Sequence, residues 1–309
     1  MEKLLEVNNL SISFTQYVQG LNRRDLKVIS DLSLDIDESE IVAVLGSSGS
    51  GKSLLAHSIL GILPYNAHVT GEIKYKGQTL NQEIKEKIRG KKICLIPQSV
   101  NFLDPLMKVS KQVKISIKNK EKANKLQRNI FNKYKLDNKV DEFYPFELSG
   151  GMARKVLLST ALVSDCKVII ADEPTPGLDE EALNEALKDF RNIADSGCAI
   201  LMITHDIEAA LKIADKIAVF YAGTTLEVAN VSDFKGDGKN LRHPYSKALF
   251  NALPKNGFKP INGSQPMPHE LPTGCLFQDR CECVRDECRV LRPKAKVVRD
   301  GMVRCLNAT

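Results

Sequence analysis

The chain has 309 residues, 43% of them hydrophobic and 27% charged, which is typical of a folded protein with one large and one smaller domain. These values exclude both a solitary mini-domain and a chain that is disordered throughout. The net charge of +6 suits nucleic acid, an anionic membrane surface, nucleotide phosphates or an ordinary soluble surface, and selects none of them.

The amino terminus does not have the pattern of a signal peptide. Glu2 and Glu6 interrupt the apolar run that a signal peptide needs, and no stretch approaches the roughly 18 apolar residues that span a bilayer. We therefore expect a cytosolic chain. If it serves transport, other subunits must supply the path through the membrane.

Short β-branched runs alternate with longer amphipathic runs, which predicts an α/β domain with a largely parallel sheet. Buried strands are predicted at residues 41–45, 167–171 and 199–203. Each is followed by polar residues, at the carboxyl edge of the sheet where such folds bind their ligands. These polar residues are candidates for a functional site.

The first of these strands runs directly into a loop that fits the phosphate-binding pattern G-x-x-x-x-G-K-[ST], and a helical run follows. The loop consists of Gly46, Ser47, Ser48, Gly49, Ser50, Gly51, Lys52 and Ser53. Backbone N–H groups of such a loop, together with the dipole of the next helix, bind phosphates. We expect Lys52 to reach the β- and γ-phosphates and the Ser53 hydroxyl to bind Mg²⁺.

Between about residues 98 and 165 the strand signals disappear and the pattern becomes helical, which predicts a helical subdomain inserted into the α/β core. The strand at 167–171 then leads to Asp172 and Glu173. We expect Asp172 to hold Mg²⁺ and Glu173 to polarise a water for in-line attack on the γ-phosphate. These motifs predict a P-loop NTPase, a class that includes GTPases, kinases, helicases and transport motors.

The segment before that strand resembles the signature of the ABC ATPase family, L-S-G-G-Q. It consists of Leu148, Ser149, Gly150, Gly151 and Met152. The resemblance implies an anion site at a helix amino terminus that caps the γ-phosphate bound to the opposite cassette, so that hydrolysis requires a dimer. Met152 replaces the usual Gln and leaves the anion-binding Ser149 and Gly151 in place.

Further matches to the family follow in the family's order: Gln98, Pro174, Leu178 with Asp179, and His205. The resemblance implies that Gln98 senses Mg²⁺ and the attacking water and links to the transmembrane subunits. It also implies that His205 contacts the γ-phosphate, and that the loop of Leu178 and Asp179 communicates across the dimer. The resemblance thus predicts Glu173, His205 and Gln98 as the catalytic residues.

Two parts of the family pattern leave alternatives open. Pro176 and Gly177 stand where many relatives have a small residue and Ala, so the two ATP sites of a dimer need not be equal. Phe14, which closes the predicted strand 10–14, aligns best with the family's adenine-stacking aromatic, but Tyr17 lies close enough to compete. An aromatic at a strand end is core filler as often as a base platform.

Residues 1–226 are predicted to form the nucleotide-binding domain, and residues 227–309, rich in Pro, Gly, Asn and charge, a small irregular carboxyl-terminal extension. In the extension, His243, Pro244 and Tyr245 begin a helix predicted over residues 244–253. This segment resembles the H-P-Y region of oligopeptide, dipeptide and nickel importer ATPases. The resemblance implies that the helix packs against the cassette and marks a subfamily.

Eight cysteines are unevenly placed, and the last part of the chain holds a C-x5-C-x6-C-x16-C arrangement. It consists of Cys275, Cys281, Cys288 and Cys305. Four thiolates suit an iron–sulfur cluster or tetrahedral zinc, and buried reduced cysteines without metal are the alternative. The subfamily resemblance favours a structural [4Fe-4S] cluster, with Cys283 as an extra thiol.

The sequence therefore resembles the ATP-binding and ATP-hydrolysing subunit of an ABC importer for peptides or for nickel or a metal chelate. The resemblance implies a heterodimer with a related ATPase, two permease subunits, an extracellular substrate-binding protein and no nucleic acid. It places the chain on the cytoplasmic side of the cell membrane, with MgATP as its nucleotide. A soluble ABC ATPase of DNA repair or translation, or an exporter ATPase, is the alternative.

Overall fold

The computed structural model describes residues 3–17, 22–47 and 49–308, and the strands of this part of the chain form two sheets. The strands are β1 Lys3–Tyr17, β2 Arg23–Asp37, β3 Ile41–Leu45, β4 Ala67–Tyr75, β5 Gln78–Thr79, β6 Ile93–Ile96, β7 Val168–Asp172, β8 Ala199–Thr204, β9 Lys216–Tyr221, β10 Thr224–Asn230, β11 Lys296–Val298 and β12 Gly301–Val303. The three strands predicted at 41–45, 167–171 and 199–203 are therefore present as β3, β7 and β8, each within one residue of its predicted bounds.

The larger sheet has the order β11-β12-β10-β9-β3-β8-β7-β6. Its central strands β9, β3, β8, β7 and β6 are parallel, as predicted, whereas β10, β12 and β11 continue the sheet in antiparallel fashion. A second, antiparallel sheet has the order β2-β1-β4-β5. The sequence analysis did not anticipate this sheet, because its long alternating strands carry no motif.

The α-helices surround the larger sheet and also form the insertion. They are α1 Lys52–Leu60, α2 Gln82–Ile88, α3 Val109–Lys114, α4 Lys120–Lys133, α5 Gly150–Leu162, α6 Glu180–Asp195, α7 Ile207–Ile213, α8 Pro244–Asn251 and α9 Asp286–Val290. The insertion between β6 and β7 is helical, as expected. Its first helical stretch is broken, however, since Asn119 ends the turn after α3 and caps α4 with its side chain.

Two apolar cores hold the sheets and helices together. On one face of the larger sheet, α1 packs between it and the antiparallel sheet, with Leu55 and Ile59 buried among residues of both. On the other face, α6 and α7 pack through Phe190 and Ala210. A separate small core around Phe131 lies within the helical insertion. Because α1 follows the phosphate loop directly, the first core fixes that loop to the edge of the larger sheet.

The carboxyl-terminal extension is built into the second core. Helix α8 contributes Tyr245 and Phe250 to that core, and the extension adds Phe277 beside them. The rings of Tyr221, Tyr245 and Phe277 lie within 5.5 Å of one another, centroid to centroid. At the chain end β12 pairs with β10 in the larger sheet. The extension is therefore packed against the nucleotide-binding part of the chain at several places.

A buried carboxylate on β10 fixes the start of the H-P-Y segment to the larger sheet. Glu227 on β10 has no exposed surface, and its two oxygens accept the backbone N–H groups of Arg242 and His243, each at 2.8 Å. The Arg242 guanidinium lies 3.4 Å from Glu227 and 2.8 Å from Asp233. Burial lowers the pKa of His243 to about 3, so its neutral Nδ1 accepts the Tyr245 N–H at 3.0 Å and caps α8. These contacts orient the H-P-Y segment.

Cys94 on β6 and Cys166, just before β7, are joined by a disulfide, with a Cα–Cα distance of 6.1 Å. Within the part of the chain that the structure describes, no helix combines the length and apolar character needed to cross a bilayer.

Replacing Glu227 tests whether this carboxylate fastens the extension. Glu227→Leu removes the acceptor of two buried N–H groups and one partner of a buried guanidinium, so we expect the free energy of unfolding to fall by about 3 kcal/mol. Urea denaturation followed by circular dichroism measures it. The matched control is Glu83→Leu, which removes an exposed ion pair with Lys87 and should change stability by less than about 0.5 kcal/mol. Equal losses in the two variants would contradict this account.

Candidate functional site

The predicted phosphate loop lies between β3 and α1, and its glycines are required by the space around them. A Cβ on Gly46 would lie 2.6 Å from the carbonyl oxygen of Phe220 on β9, which is closer than any real contact. Gly51, the residue before α1, has a φ of 96°, which favours glycine. The loop is thus held close to the sheet edge. Ser48, one of its predicted residues, lies outside the described part of the chain.

Lys52, the first residue of α1, is almost completely buried, with 6% of its surface exposed. Its Nζ donates hydrogen bonds of 2.8 Å to the carbonyl oxygens of Gly46 and Ser47. Burial lowers the pKa of this ammonium, and the carboxylates of Glu173 and Asp172 act in the opposite direction. Lys52 therefore places a positive charge at the loop, close enough to both carboxylates for their charges to act on it.

The loop opens onto a cavity of about 280 Å³ that gathers most of the predicted nucleotide-binding and catalytic residues. Its walls are formed by Val28, Gly49, Gly51, Lys52, Ser53, Leu54, Gln98, Asp172 and Glu173. These residues come from β2, the phosphate loop with α1, the segment after β6, and the end of β7. The tertiary structure therefore brings four distant segments of the chain to one site.

Asp172 is the last residue of β7, one position further into the strand than predicted, and 3% of its surface is exposed. Burial raises the pKa of its carboxyl group, and a hydrogen bond from Ser53 opposes that shift. Its Oδ1 is buried without a hydrogen-bond partner among the described residues. A carboxylate oxygen of this kind next to a hydroxyl is a suitable ligand pair for Mg²⁺, which prefers oxygen.

Glu173 follows Asp172 in the left-handed backbone region, with a φ of 48°, and is 6% exposed. Its Oε2 lies 2.9 Å from Nδ1 of His205 and 3.5 Å from the hydroxyl of Thr204, both after or at the end of β8. The His205 side chain itself is 60% exposed. The structure thus joins the predicted general base to the predicted γ-phosphate contact directly.

Arg154, which the sequence analysis missed, lies on α5 one turn after the signature segment and is 3% exposed. Its guanidinium donates hydrogen bonds to the carbonyl oxygens of Pro97 at 3.0 Å and Gln98 at 2.8 Å, and to that of Glu173. The backbone on either side of the cavity is therefore held by one buried cation. No local pattern marks such a residue, since its partners are 56, 57 and 19 residues away.

The signature segment forms the amino terminus of α5 and does not line the cavity of its own chain. The Ser149 hydroxyl accepts the Met152 N–H at 3.3 Å, while Ser149 and Gly150 are exposed. A Cβ on Gly151 would lie 3.4 Å from the carbonyl oxygen of Gly177. The exposed helix terminus is thus a surface feature, available to a group outside this chain.

The loop of Leu178 and Asp179 is connected to the signature helix. Asp179 caps α6 through its carboxylate, which accepts the Ala182 N–H at 2.8 Å. The same carboxylate lies 3.2 Å from Nζ of Lys155 on α5. The signature helix and this loop are therefore joined by an ion pair.

The two aromatic residues considered for adenine stacking differ in their surroundings. Phe14 on β1 is partly buried and packs against the core between the sheets. Tyr17 at the end of β1 is 62% exposed, and the Arg23 guanidinium lies 5.4 Å from its ring centroid. Phe14 lies opposite Leu26 of β2, two residues before Val28 of the cavity wall. The position of Phe14 next to the cavity keeps it as the candidate.

The four cysteines of the extension gather in one region, where Cys275, Cys288 and Cys305 are buried. Burial raises the pKa of Cys281 to about 11, and the neighbouring thiols of Cys275 and Cys305 add to that shift. Nevertheless, among residues 3–17, 22–47 and 49–308 no group of three or more His, Cys, Asp or Glu side chains is placed to hold a metal ion. The geometry therefore does not confirm the predicted metal site.

Two known families match separate parts of the chain. Residues 29–176 match the family described as "ABC transporter", and residues 226–288 match "Oligopeptide/dipeptide transporter, C-terminal region".

Several characterised proteins are similar to the whole chain. The dipeptide transport ATP-binding protein DppD of Caldanaerobacter subterraneus subsp. tengcongensis is 34% identical over 293 residues, or 87% of each chain. DppD of Escherichia coli is 32% identical and covers 96% of this chain and 94% of its own length. The oligopeptide transport ATP-binding protein OppD of E. coli is 33% identical, with 94% and 89% covered.

Solved structures show the same fold. An ATP-binding cassette in a dimeric, post-hydrolysis state with ADP and Pi superposes with a TM-score of 0.64 and 23% identity, over 74% of this chain and 99% of its own. An ATP-binding subunit of an ABC transporter gives a TM-score of 0.63 at 24% identity, with 75% and 92% covered.

Arg154→Met should separate the chemical step from nucleotide binding. The substitution keeps an unbranched side chain that fills the space of the aliphatic part of Arg154, but it leaves three carbonyl groups without their donor, which loosens the backbone of Gln98 and Glu173. We expect phosphate release from MgATP to fall about tenfold to a hundredfold, with the nucleotide dissociation constant changed less than about threefold. Coupled-enzyme kinetics and calorimetric titration measure the two quantities.

The matched control is Arg191→Met, at a surface arginine of α6 that pairs with Asp195 and Asp215 away from the cavity. Its turnover should remain near that of the unmodified chain. If Arg154→Met also keeps full turnover, the guanidinium does not position the catalytic segments.

Proposed function

This chain belongs to the ABC transporter family as an ATP-binding and ATP-hydrolysing subunit, and from this premise we propose that it powers the import of dipeptides or oligopeptides. The observation that carries the proposal is the single cavity in which Lys52, Asp172 and Glu173 meet. The names of the similar DppD and OppD proteins and the match of the extension support peptides as the cargo. Nickel or a metal chelate is the second candidate.

In the proposed mechanism the phosphate loop binds the phosphates of ATP through its backbone N–H groups and the amino terminus of α1. Lys52 turns its ammonium from the loop carbonyls to the β- and γ-phosphates. Ser53, Asp172 and Gln98 are the residues that would hold Mg²⁺, which neutralises developing charge on the phosphates when bound. The unpartnered Asp172 Oδ1 supports this assignment.

Glu173 is the proposed general base. Its carboxylate accepts a proton from the attacking water, the water oxygen bonds to the γ-phosphorus, and the bond to the β-phosphate oxygen breaks, giving ADP and phosphate. His205, 2.9 Å from Glu173 in this structure, would orient that carboxylate and contact the γ-phosphate. Gln98 lies on the opposite wall, where it would position the water.

The exposed signature at the start of α5 supports a dimeric ATPase, in which Ser149 and Gly151 cap the γ-phosphate bound by a second cassette. We propose that this second cassette is a related chain. Lys155 and Asp179 then connect each signature to the loop that faces the other subunit. With Pro176 and Gly177 in that loop, the two ATP sites of the pair would be unequal.

On this proposal the chain is attached to the cytoplasmic side of the membrane through two permease subunits. An extracellular binding protein delivers the cargo. A soluble ABC ATPase in DNA repair or translation, and an exporter ATPase, are not favoured, because the extension matches the oligopeptide/dipeptide transporter region. The nucleotide-binding unit would span residues 1–226 and the extension residues 227–309.

We propose further that Cys275, Cys281, Cys288 and Cys305 ligate a [4Fe-4S] cluster of structural role. Thiolates are the ligands that such a cluster takes, and three of the four thiols are buried. Burial, with a smaller contribution from neighbouring thiols, raises the pKa of Cys275, Cys281 and Cys305, and a bound cation would lower it. These residues would then hold α9 and the chain end together. Zinc, or thiols without metal, are the alternatives.

Glu173→Gln tests whether Glu173 is the general base of ATP hydrolysis. The amide keeps the size of the side chain and one acceptor oxygen but cannot take the water proton, so we expect hydrolysis to fall at least about a hundredfold while ATP still binds. Size-exclusion chromatography with MgATP should show an increased fraction of dimer. Glu181→Gln, at an exposed position of α6, is the control. Unreduced phosphate release from the Glu173 variant, assembled with its partners, would remove this residue as the base.

Uptake of radiolabelled dipeptides tests the cargo. Cells that lack this chain should lose the uptake, regain it with the wild-type gene, and not regain it with Glu173→Gln. Nickel-63 uptake is measured in the same strains. Loss of nickel uptake with unchanged peptide uptake would overturn the peptide assignment and leave the ATPase assignment intact.

Absorption spectroscopy and elemental analysis of anaerobically purified chain test the cluster. We expect absorbance near 400 nm and about four iron atoms per chain, both lost in Cys288→Ser and retained in Cys283→Ser. Zinc in place of iron, or neither metal, would exclude the cluster.

A further inference from the structure

A segment of the carboxyl-terminal extension, residues 261–270, passes over the side of the nucleotide site; we call it the strap. Its first two residues are held by Arg280, whose guanidinium donates to the carbonyl oxygens of Asn262 at 2.8 Å and Ile261 at 3.4 Å. The same guanidinium lies 3.3 Å from the hydroxyl of Tyr221, the last residue of β9. Next to it, Phe220 is the residue against which Gly46 of the phosphate loop packs.

The middle of the strap contacts the phosphate loop itself. The Ser47 hydroxyl donates a hydrogen bond of 2.8 Å to Oε1 of Gln265, across 218 residues of sequence. The backbone carbonyl of Ser47 is one of the two that accept Lys52 Nζ, and it also accepts the hydroxyl of Ser50 at 2.7 Å. Gln265 therefore holds a residue on which the conformation of the whole loop depends.

The far end of the strap reaches the base side of the site. Arg24 on β2 donates to the carbonyl oxygen of His269 at 3.4 Å. Arg24 lies opposite Gln16 of β1, two residues along the strand from the proposed base platform Phe14. The strap therefore contacts the rest of the chain at two places, the phosphate loop at Ser47 and β2 at Arg24, and β2 pairs there with the strand that carries the proposed base platform Phe14.

The segment between these anchors is stiff and partly apolar. Pro266 and Pro268 restrict the backbone, and Met267 between them is 58% exposed. The Glu270 N–H donates to the carbonyl oxygen of Met267 at 2.9 Å and closes a turn after it. A stiff segment loses little conformational freedom when it contacts a ligand, and an exposed thioether is an adaptable surface for a flat ring.

From these anchors we propose that the strap is a third wall of the nucleotide site. Gln265 positions the phosphate loop through Ser47, and Met267 contacts the nucleoside part of ATP. The nucleotide site of this chain would then include residues from its extension, so that any change in the extension reaches ATP binding directly. This inference concerns the nucleotide and does not depend on which cargo is transported.

Calorimetric titration of the purified full chain with MgATP and with magnesium tripolyphosphate, which lacks the nucleoside, separates the two roles. Gln265→Ala should weaken the binding of both ligands about threefold to tenfold, as expected for one lost hydrogen bond. Met267→Ala should weaken ATP binding about threefold and leave tripolyphosphate binding unchanged. Gln78→Ala, at an exposed glutamine of β5, is the control.

Ser47→Ala completes a double-mutant cycle. If Gln265 acts through Ser47, the double variant should bind ATP no more weakly than either single variant. Photolabelling with 8-azido-ATP should also modify a peptide that contains residues 261–270. Unchanged or tighter ATP binding by Gln265→Ala, additive effects in the cycle, or labelling confined to peptides of β1 and β2 would overturn the proposal. None of these outcomes bears on transport, which the uptake assay measures separately.

Discussion

The parallel register of three buried strands is the constraint on which the site depends. Leu45 at the end of β3 lies opposite Thr204 of β8, and Asp172 of β7 lies opposite Ile203. Because all three strands point the same way, the residues that follow them meet at one edge of the sheet. The phosphate loop and both carboxylates therefore reach the same cavity, and His205 lies next to it through its contact with Glu173. The strands themselves are fully buried, so the edge has little freedom to move.

The helical insertion is attached to this edge of the sheet by the buried guanidinium of Arg154. Burying a guanidinium costs free energy unless it is hydrogen-bonded, and both terminal nitrogens of Arg154 donate to carbonyl oxygens of the two segments that flank the cavity, while its Nε has no partner among the described residues. The insertion also carries the signature at the start of the same helix. Arg154 therefore joins the helix that carries the signature to the backbone of Gln98 and of Glu173.

The carboxyl-terminal extension is packed against the rest of the chain at several places. Glu227 and Arg242 tie its start to β10, β12 adds to the main sheet, and Arg280 packs over the rings of Tyr221 and Phe277. Its cysteine-rich end and its contact with the phosphate loop belong to one packed unit. A bound cluster or an altered thiol state would consequently act on the same body that touches Ser47.

The sequence by itself determined the phosphate loop, the carboxylate pair, the signature and the α/β class, because each depends on adjacent residues and on strand or helix period. It did not determine the antiparallel sheet, Arg154 or the strap. The contact of Ser47 with Gln265 joins residues 218 positions apart, and its existence follows only from how the extension packs. Likewise, His205 and Glu173 were predicted separately, and their 2.9 Å contact was decided by the register of β7 and β8. Motifs made of neighbouring residues can be recognised in the sequence, whereas contacts between distant segments form only in the folded core that brings them together.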